Sequence, residues 1–288
     1  MKRRFPKSLF WALMILAALC VIFALNTARH AAAVPTWIDS AAEREVRLAP
    51  FWRVVPEGGV GGVNSILLSG CDGVRDNMAY WAGQLTATGG AALILDSHTP
   101  RGLDQLEAWR LACVGQVLPG AERAGDLAVA MALTEREDMQ LLGASHGGWT
   151  VLEFLGQLMR DEVPPGLDDW PAAPATMLAR IDAAVLLYPY CGLLNGADEG
   201  DWSGAPPLLM ILAENDEIIS TPACLALADR LTALGADIET VVIPEVGHGF
   251  DQQDRALFST LTYDIAARDR AADLIADFLA RHSAADED

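Results

Sequence analysis

The motif Gly143-Ala144-Ser145-His146-Gly147-Gly148 is the most informative part of the sequence, because it places a serine between glycines at the end of an apolar run. Residues 139–144 have the pattern of a buried strand, and a helical pattern follows over residues 150–160. A sharp strand-to-helix turn strains the backbone of the residue at its tip, so the flanking positions must lack side chains that would clash. The sequence therefore predicts a nucleophile elbow with Ser145 at its tip.

An acid and a histidine follow at the ends of two later strand patterns. The apolar run 207–213 leads into Glu214-Asn215-Asp216-Glu217, and residues 237–243 lead into the glycine-flanked His248. A serine hydroxyl needs an imidazole to take its proton, and the imidazole needs a carboxylate to fix its tautomer. We predict His248 as the base and Asp216 as the acid. The chain order Ser, Asp, His is that of the α/β-hydrolase triad.

Alternatives to these roles stay open at this point. His248 could be an ordinary loop histidine, and Glu214 and Glu217 compete with Asp216 unless they are simply solvated acids. An acyl-transfer site also needs two N–H donors for the oxyanion. We expect the first from the backbone of His146 and the second from Cys71 or Asp72, which follow the strand pattern at residues 64–69. The His146 side chain is then structural or part of the pocket wall.

The remaining patterns predict one α/β domain over residues 34–288, with a mostly parallel central sheet and helices on both faces. Strands are predicted at 51–55, 63–69, 91–96, 139–144, 181–188, 207–213 and 237–243, and helices at 76–87, 121–136, 150–160, 222–234 and 266–280. Residues 163–175, rich in Pro and Asp, are either a short lid or a plain surface loop. No histidine–cysteine cluster has metal-ligand spacing and no glycine loop suits a phosphate, so we expect no metal, nucleotide or other cofactor.

The amino terminus predicts export. Lys2, Arg3, Arg4 and Lys7 precede an uncharged stretch at residues 8–28, and Ala31-Ala32-Ala33 offers small residues for signal peptidase. The apolar segment 9–25 is longer than the usual signal core and close to the lower limit for a spanning helix. Residues 1–33 are therefore either a cleaved signal peptide or a retained anchor. The protein is expected to be periplasmic or secreted, either free or tethered to the inner membrane through residues 8–28.

The cysteine content and the net charge limit the possible compartment and partners of the protein. Four cysteines follow the leader, an even number that suits disulfides in an oxidising compartment. The chain layout favours Cys71 with Cys113 and Cys191 with Cys224, while free buried thiols and a nucleophilic Cys71 are alternatives. The formal net charge is −19. It makes nucleic acid an improbable partner and disfavours strongly anionic substrates.

From about residue 63 to the C-terminal helix, the chain resembles the dienelactone hydrolase family of the α/β-hydrolase superfamily. The resemblance is carried by Gly70-Cys71-Asp72-Gly73, Asp96-Ser97-His98-Thr99-Pro100-Arg101-Gly102, Gly143-Ala144-Ser145-His146-Gly147-Gly148-Trp149, Tyr188-Pro189-Tyr190-Cys191 and Gly247-His248-Gly249-Phe250. It implies a single-domain, cofactor-free hydrolase of a small ester or lactone, with Arg101 and Trp149 as candidates for substrate binding. The archetypal members have a cysteine at the Ser145 position and hold a substrate carboxylate with arginines, whereas here Asp251-Gln252-Gln253-Asp254 follows the histidine loop.

These features together predict a serine hydrolase that forms an acyl-enzyme on Ser145 and cleaves a small ester or lactone. A peptidase or an acyltransferase would use the same triad, because the elbow fixes the acyl-enzyme but not the acyl donor or acceptor. A non-catalytic binding module with the same fold is the third hypothesis.

Overall fold

A seven-stranded, mostly parallel sheet forms the centre of the fold. The structure, a computed structural model, describes residues 7–32, 34–35, 37–87, 89–255 and 259–282. Its strands are β1 (Arg53–Val55), β2 (Ser65–Leu68), β3 (Ala92–Leu95), β4 (Met139–Ala144), β5 (Ile181–Leu187), β6 (Leu208–Ala213) and β7 (Ile238–Ile243). Their order is β1-β3-β2-β4-β5-β6-β7, and β1 runs antiparallel to β3 while the other pairs are parallel. The predicted sheet class is confirmed.

Helices cover both faces of this sheet. The helices of the described residues are α1 (Lys7–Ala31), α2 (Ala41–Leu48), α3 (Asp76–Leu85), α4 (Gln105–Glu107), α5 (Gly120–Ala132), α6 (His146–Arg160), α7 (Pro174–Ala179), α8 (Thr221–Ala233) and α9 (Ile265–His282), and a π-helical turn, Ala108–Ala112, continues α4. Buried side chains of α5, α6 and α8 form one core cluster with the sheet, and those of α3 and α9 form the other. The predicted arrangement of helices on both faces is therefore confirmed.

The strand that carries the elbow lies in the middle of the sheet. β4 pairs with β2 on one side and β5 on the other, and five of its six residues are buried. A nearly continuous apolar run is typical of a parallel strand that helices cover on both faces. The carboxyl ends of β2, β4, β6 and β7 therefore meet at one edge, where the loops that follow them can converge on Ser145.

Residues 163–175 form a surface segment on the flank of the molecule. Arg44 of α2 donates a hydrogen bond to the carbonyl oxygen of Gly166, and the Trp170 ring packs against Phe154 of α6 with centroids 6.4 Å apart. None of these residues lines the cavity above Ser145. Of the two readings of this segment, the structure favours the plain surface loop over the lid.

Helix α1 stands apart from the two core clusters. All residues from 8 to 25 are exposed. By its length and composition, the helix could cross a bilayer. A cleaved signal sequence passes the same test of length and composition. Lys2, Arg3, Arg4 and the predicted cleavage position at Ala33 lie outside the described residues.

Candidate active site

The tip of the β4–α6 turn holds Ser145 in a conformation that few residues adopt. Its φ is +52° and its ψ is −111°, in a region that is strained for any residue with a side chain. A Cβ at Gly143 would collide with the Gly147 backbone, and a Cβ at Gly147 would collide with the carbonyl of Leu68. The two glycines therefore leave the room that the elbow requires, as the sequence predicts.

The structure brings the three predicted residues together. The Ser145 hydroxyl lies 2.9 Å from Nε2 of His248, and Nδ1 of His248 lies 2.7 Å from Oδ2 of Asp216. In the neutral Nδ1–H tautomer, the ring donates to the carboxylate and accepts from the hydroxyl, which is the arrangement that a general base needs. Ser145 and His248 are both largely buried, and the Asp216 side chain is only 3% exposed.

The neighbouring acids have different partners. The Oδ1 atom of Asp216 accepts from the backbone N–H groups of Ile218 and Ile219, at 2.9 and 2.7 Å, so its carboxylate is fixed on both sides. Glu217 accepts from the backbone N–H of His248 at 3.2 Å, and Glu214 accepts from that of Glu245 at 2.9 Å. The two glutamates therefore hold the histidine loop by its backbone, while Asp216 holds the imidazole.

The predicted oxyanion segments flank Ser145. Gly70 of the loop after β2 lies next to the serine, since a Cβ there would be 3.8 Å from that of Ser145. Cys71, Asp72 and His146 line the same cavity as Ser145. Peptide N–H groups on two such segments are the donors that a tetrahedral oxyanion needs.

A buried arginine, Arg123 of α5, joins these two segments from behind. It donates to the carbonyl oxygen of Ser69 at 2.7 Å and to Nδ1 of His146 at 3.1 Å, and its Nε donates to the Ser97 hydroxyl at 3.2 Å. Burial lowers the pKa of Arg123 to about 10, so the side chain stays charged at neutral pH. Sequence reasoning missed Arg123. A signal existed, because Arg123 stands three residues before Asp126, and such a pair of opposite charges is unusual in a helix that is otherwise mostly small and apolar.

The His146 side chain is part of the scaffold. Its Nε2 lies 2.9 Å from the carbonyl oxygen of Leu118, and the donor at its Nδ1 is Arg123. These partners require the neutral Nε2–H tautomer. Burial, with the Arg123 charge beside it, lowers the pKa of His146 to about 3. The imidazole therefore stays neutral at physiological pH and has no free nitrogen to act as a second base.

A second unforeseen group, Tyr188 with Asp251, supports the histidine. The ring of Tyr188 packs against that of His248 with centroids 4.7 Å apart. Its hydroxyl donates to the buried Asp251 carboxylate, which also accepts from Trp81 at 2.5 Å and from Asn77 at 3.2 Å. Burial raises the pKa of Asp251, against the effect of these donors. Both residues stand in motifs noted in the sequence, but their contact spans 63 positions of the chain.

A cavity of about 520 Å³ opens above Ser145. Trp149 forms part of its wall, stacked on Tyr190 with centroids 4.8 Å apart, and its indole N–H donates to the buried Glu153 at 2.8 Å. Burial raises the pKa of Glu153. Among the described residues no arginine or lysine lines the cavity, and Asp72 is its one carboxylate. No group of three or more His, Cys, Asp or Glu in the described chain is placed to hold a metal ion.

Arg101 does not line the cavity. Its guanidinium forms a two-pronged ion pair with the fully buried Asp126, at 2.8 and 2.9 Å, and donates to the carbonyl oxygen of Ser97. Although burial alone would raise it, the pKa of Asp126 is lowered by Arg101 and Arg44. The expectation that Arg101 binds substrate is therefore not supported by its position, because the side chain points inward at a structural partner. Trp149, in contrast, lines the cavity, where a residue that contacts the substrate has to lie.

Two disulfides brace the walls of the site. Cys71 is bonded to Cys113, and Cys191 is bonded to Cys224, which are the pairings that the chain layout favours. The first ties the loop beside Ser145 to the segment after the π-helical turn. The second closes a loop that contains Asp216. Because its sulfur is in a disulfide, Cys71 has no thiolate to act as a nucleophile.

Comparisons with known proteins agree with this architecture. The model of the dienelactone hydrolase family matches residues 172–283, a range that contains Asp216 and His248. The chain is similar to the structure of a Klebsiella pneumoniae protein assigned as a dienelactone hydrolase, at 16% identity over 78% of this chain and 90% of that chain, with a TM-score of 0.55. It is also similar to a propionate-bound thermophilic esterase of Thermogutta terrifontis, at 14% identity over 81% and 90%, with a TM-score of 0.56. No curated protein matches the sequence.

At these identities the likeness to solved structures establishes the fold alone, and that fold is the α/β-hydrolase fold. The family match covers residues 172–283, and that part of the chain is similar to the dienelactone hydrolase family. Together with the fold, this similarity supports a hydrolase.

Proposed function

We propose that this protein is a serine hydrolase of small, uncharged carboxylic esters or lactones, with Ser145 as nucleophile, His248 as base and Asp216 as acid. The observation that carries the proposal is the unbroken hydrogen-bonded path from Asp216 through His248 to Ser145, at the floor of a cavity. The Thermogutta terrifontis esterase has a similar fold, which supports the reaction class.

The reaction proceeds through an acyl-enzyme. Ser145 Oγ attacks the ester carbonyl carbon while His248 Nε2 takes the hydroxyl proton, and Asp216 stabilises the resulting imidazolium. The oxyanion of the tetrahedral intermediate accepts from the N–H groups of His146 and Cys71. Collapse expels the alcohol, which receives the proton from His248. Water, deprotonated by the same imidazole, then attacks the acyl-enzyme and releases the acid and free Ser145.

The cavity favours an uncharged substrate. Aromatic and aliphatic side chains, among them Trp149, Tyr190 and Leu194, form most of its wall, and its described part offers no cation to a substrate carboxylate. An anionic group would meet Asp72 instead, at a cost in desolvation and repulsion. The arginine clamp of the archetypal family members has no counterpart among the lining residues described.

Covalent labelling tests the nucleophile. Esterase 2 of Thermogutta terrifontis, which shares this fold, is phosphonylated by sarin. We expect a fluorophosphonate probe to label the present protein on Ser145, and we expect Ser145→Ala to lose both labelling and hydrolysis of p-nitrophenyl acetate. Loss of a triad serine typically costs on the order of 10⁶ in kcat. Labelling elsewhere, or a Ser145→Ala variant with a tenth of the activity, would contradict the assignment.

A substrate panel tests the reaction class. We expect purified protein to hydrolyse p-nitrophenyl esters and small lactones, and not peptides. Cleavage of peptides, or preferential transfer of the acyl group to an added alcohol or amine, would identify a peptidase or an acyltransferase on the same triad. No labelling and no turnover on any of these would favour a binding module.

A further inference from the structure

Helix α1 ends against the segment that forms one side of the cavity mouth. Asn26 donates to the carbonyl oxygen of Gln116 at 2.7 Å and to its side-chain oxygen at 3.1 Å, and the Gln116 amide donates to Thr27 at 3.0 Å. His30 also contacts the Gln116 carbonyl, at 2.9 Å, and is 8% exposed. The last turns of α1 are thus joined to the hydrolase domain by several polar contacts on one residue.

The mouth of the cavity beside Gln116 is apolar and exposed. Trp109, Val114 and Ile218 line the cavity and are each about half exposed to solvent. Leu106 lies three residues before Trp109, and Leu193 precedes the lining residue Leu194. These two side chains are exposed without lining the cavity. We call the five residues the mouth patch. A soluble surface scatters such residues singly, whereas a group of them around one opening marks an interaction site.

The position of α1 indicates which surface the mouth patch faces. The helix is about 37 Å long, enough to span a hydrocarbon core of about 30 Å, and all residues from 8 to 25 are exposed. If residues 9–25 cross the bilayer, the polar turn that begins at Asn26 stands at the outer surface. Gln116 is hydrogen-bonded to Asn26, and two residues span at most about 7 Å of extended chain. In that arrangement Val114 lies within about 7 Å of Gln116, which is within reach of the lipid headgroups.

The charge of the leader gives the same orientation. Lys2, Arg3, Arg4 and Lys7 all precede the apolar segment, and cations on the cytoplasmic side would place the hydrolase domain on the far side. The domain itself is strongly acidic, so attraction to anionic lipid cannot hold the mouth at the membrane. Attachment must come from α1 and from insertion of apolar side chains, among which Trp109 is of the type that concentrates at membrane interfaces.

We propose that α1 is retained as an anchor and holds the cavity mouth against the outer surface of the bilayer, so that the enzyme takes its ester directly from the lipid phase. The substrate class thereby widens from the small uncharged esters of the proposed function to uncharged esters whose carbonyl end enters the cavity while a long apolar chain stays in the membrane. The chemistry of this proposal rests on the proposed function, but the orientation of the mouth does not.

The first test compares two esters with the full-length protein in phosphatidylcholine vesicles. One is p-nitrophenyl acetate in the water, and the other is p-nitrophenyl palmitate in the bilayer. Leu106→Asp and Leu193→Asp should lower palmitate hydrolysis on the order of ten-fold, because an aspartate weakens insertion of the mouth patch, and should leave acetate hydrolysis within about two-fold. Val46→Asp, which changes an exposed apolar residue of α2 that does not line the cavity, is the matched control.

The outcomes separate the two proposals. If both mouth variants hydrolyse palmitate as fast as Val46→Asp does, the mouth does not face the bilayer, even though the esterase proposal stands. If wild-type protein hydrolyses neither ester, the esterase proposal fails, and orientation is decided by a measurement that needs no activity.

That measurement is quenching of tryptophan fluorescence by brominated phosphatidylcholine in the same vesicles. Trp109→Phe should remove part of the quenchable emission of the wild type, since Trp109 would stand within the reach of the lipid chains. Trp52→Phe, a half-buried tryptophan that does not line the cavity, is the control and should remove emission that lipid does not quench. Equal quenchable fractions in the wild type and Trp109→Phe would overturn the proposal, as would an N-terminus of the membrane-associated protein that begins after Ala33.

Discussion

Among the single residues of the site, the three acids Glu214, Asp216 and Glu217 have different hydrogen-bond partners, so their different roles can be tested by substitution. We expect His248→Ala to lower kcat on p-nitrophenyl acetate as far as Ser145→Ala does, since both remove proton transfer from the same hydroxyl. Asp216→Asn should be milder, on the order of 10⁴, because the carboxylate orients and stabilises the imidazole without exchanging the proton. Steady-state kinetics on each variant measures these losses.

Glu214→Gln and Glu217→Gln are the matched controls for Asp216→Asn. Their carboxylates accept only backbone N–H groups of the histidine loop, and a glutamine oxygen can accept the same bonds. Both variants should keep kcat within about ten-fold of the wild type. A crippled Glu217→Gln beside a fully active Asp216→Asn would mean that the acid is wrongly assigned.

Arg123 gives a prediction that separates positioning from simple stability. Arg123→Lys offers one nitrogen in place of three, so it loses the bonds from Nε to the Ser97 hydroxyl and from Nη2 to the Ser69 hydroxyl, and the two segments beside Ser145 should lose their register. We expect kcat to fall on the order of 10² while KM stays nearly constant, because misplacement of donors by about 1 Å affects the transition state first. Arg180→Lys is the control, since Arg180 is another largely buried arginine that donates to carbonyl groups, at Thr134 and Arg136. Equal kinetics for the two variants would reduce Arg123 to a packing role.

Sequence reasoning reached the residues whose signal is local. Ser145, Asp216 and His248 each follow a strand pattern within a few positions, so that sheet topology alone predicts their convergence. The family resemblance of its motif made Arg101 a candidate substrate ligand, but its side chain points inward to form an ion pair with Asp126 on the next long helix. No local sequence pattern predicts whether a long side chain such as that of Arg101 points towards the cavity or towards a buried partner.

Among the secondary-structure elements, all seven strand patterns correspond to strands. Where a predicted end differs from the observed one, it differs by one or two residues, because the backbone there no longer forms the hydrogen bonds of the sheet. The β4 pattern matches at both ends, since strand pairing on both sides fixes it. The segment between β3 and α5 was not predicted. Its short α4 and π-helical turn are held by the Cys71–Cys113 bond and by contacts with α1 that propensity does not encode.

The two disulfides should differ in what they protect. Cys191→Ser with Cys224→Ser opens a loop of 33 residues, and the chain-entropy model gives such a bond about 3–4 kcal/mol of unfolding free energy. Because this loop contains Asp216, we expect activity to fall at a lower urea concentration than the near-ultraviolet circular dichroism does. In the wild type the two transitions should coincide. Cys20→Ser, which removes an unpaired cysteine of α1, should behave as the wild type does.

At the scale of the whole molecule, buried neutral histidines make stability depend on pH. The pKa of His146 falls from 6.5 in the unfolded chain to about 3 in the fold, and burial also lowers that of His98. Below pH 6.5 the unfolded state binds the proton that the folded state refuses. The contribution is therefore complete above pH 6.5 and is lost as pH falls towards 3, by at most about 1.4 kcal/mol per pH unit for each histidine.

His146→Gln isolates this contribution. Between pH 7 and pH 5, the wild type should lose about 2 kcal/mol more unfolding free energy than the variant does, measured by urea denaturation at each pH. If His146→Gln shows the same acid sensitivity as the wild type, the imidazole is not held neutral in the fold.

If the chain is exported, the bond between Cys71 and Cys113 would also decide when the enzyme becomes active. Ribosomes make the chain in a reducing compartment, where that bond does not form and the loop beside Ser145 has no covalent tie to the mouth. We expect a newly made chain to be idle towards the esters of the cell that synthesises it. Formation of the disulfide after transport would then complete the site, so hydrolysis would begin only in the oxidising compartment.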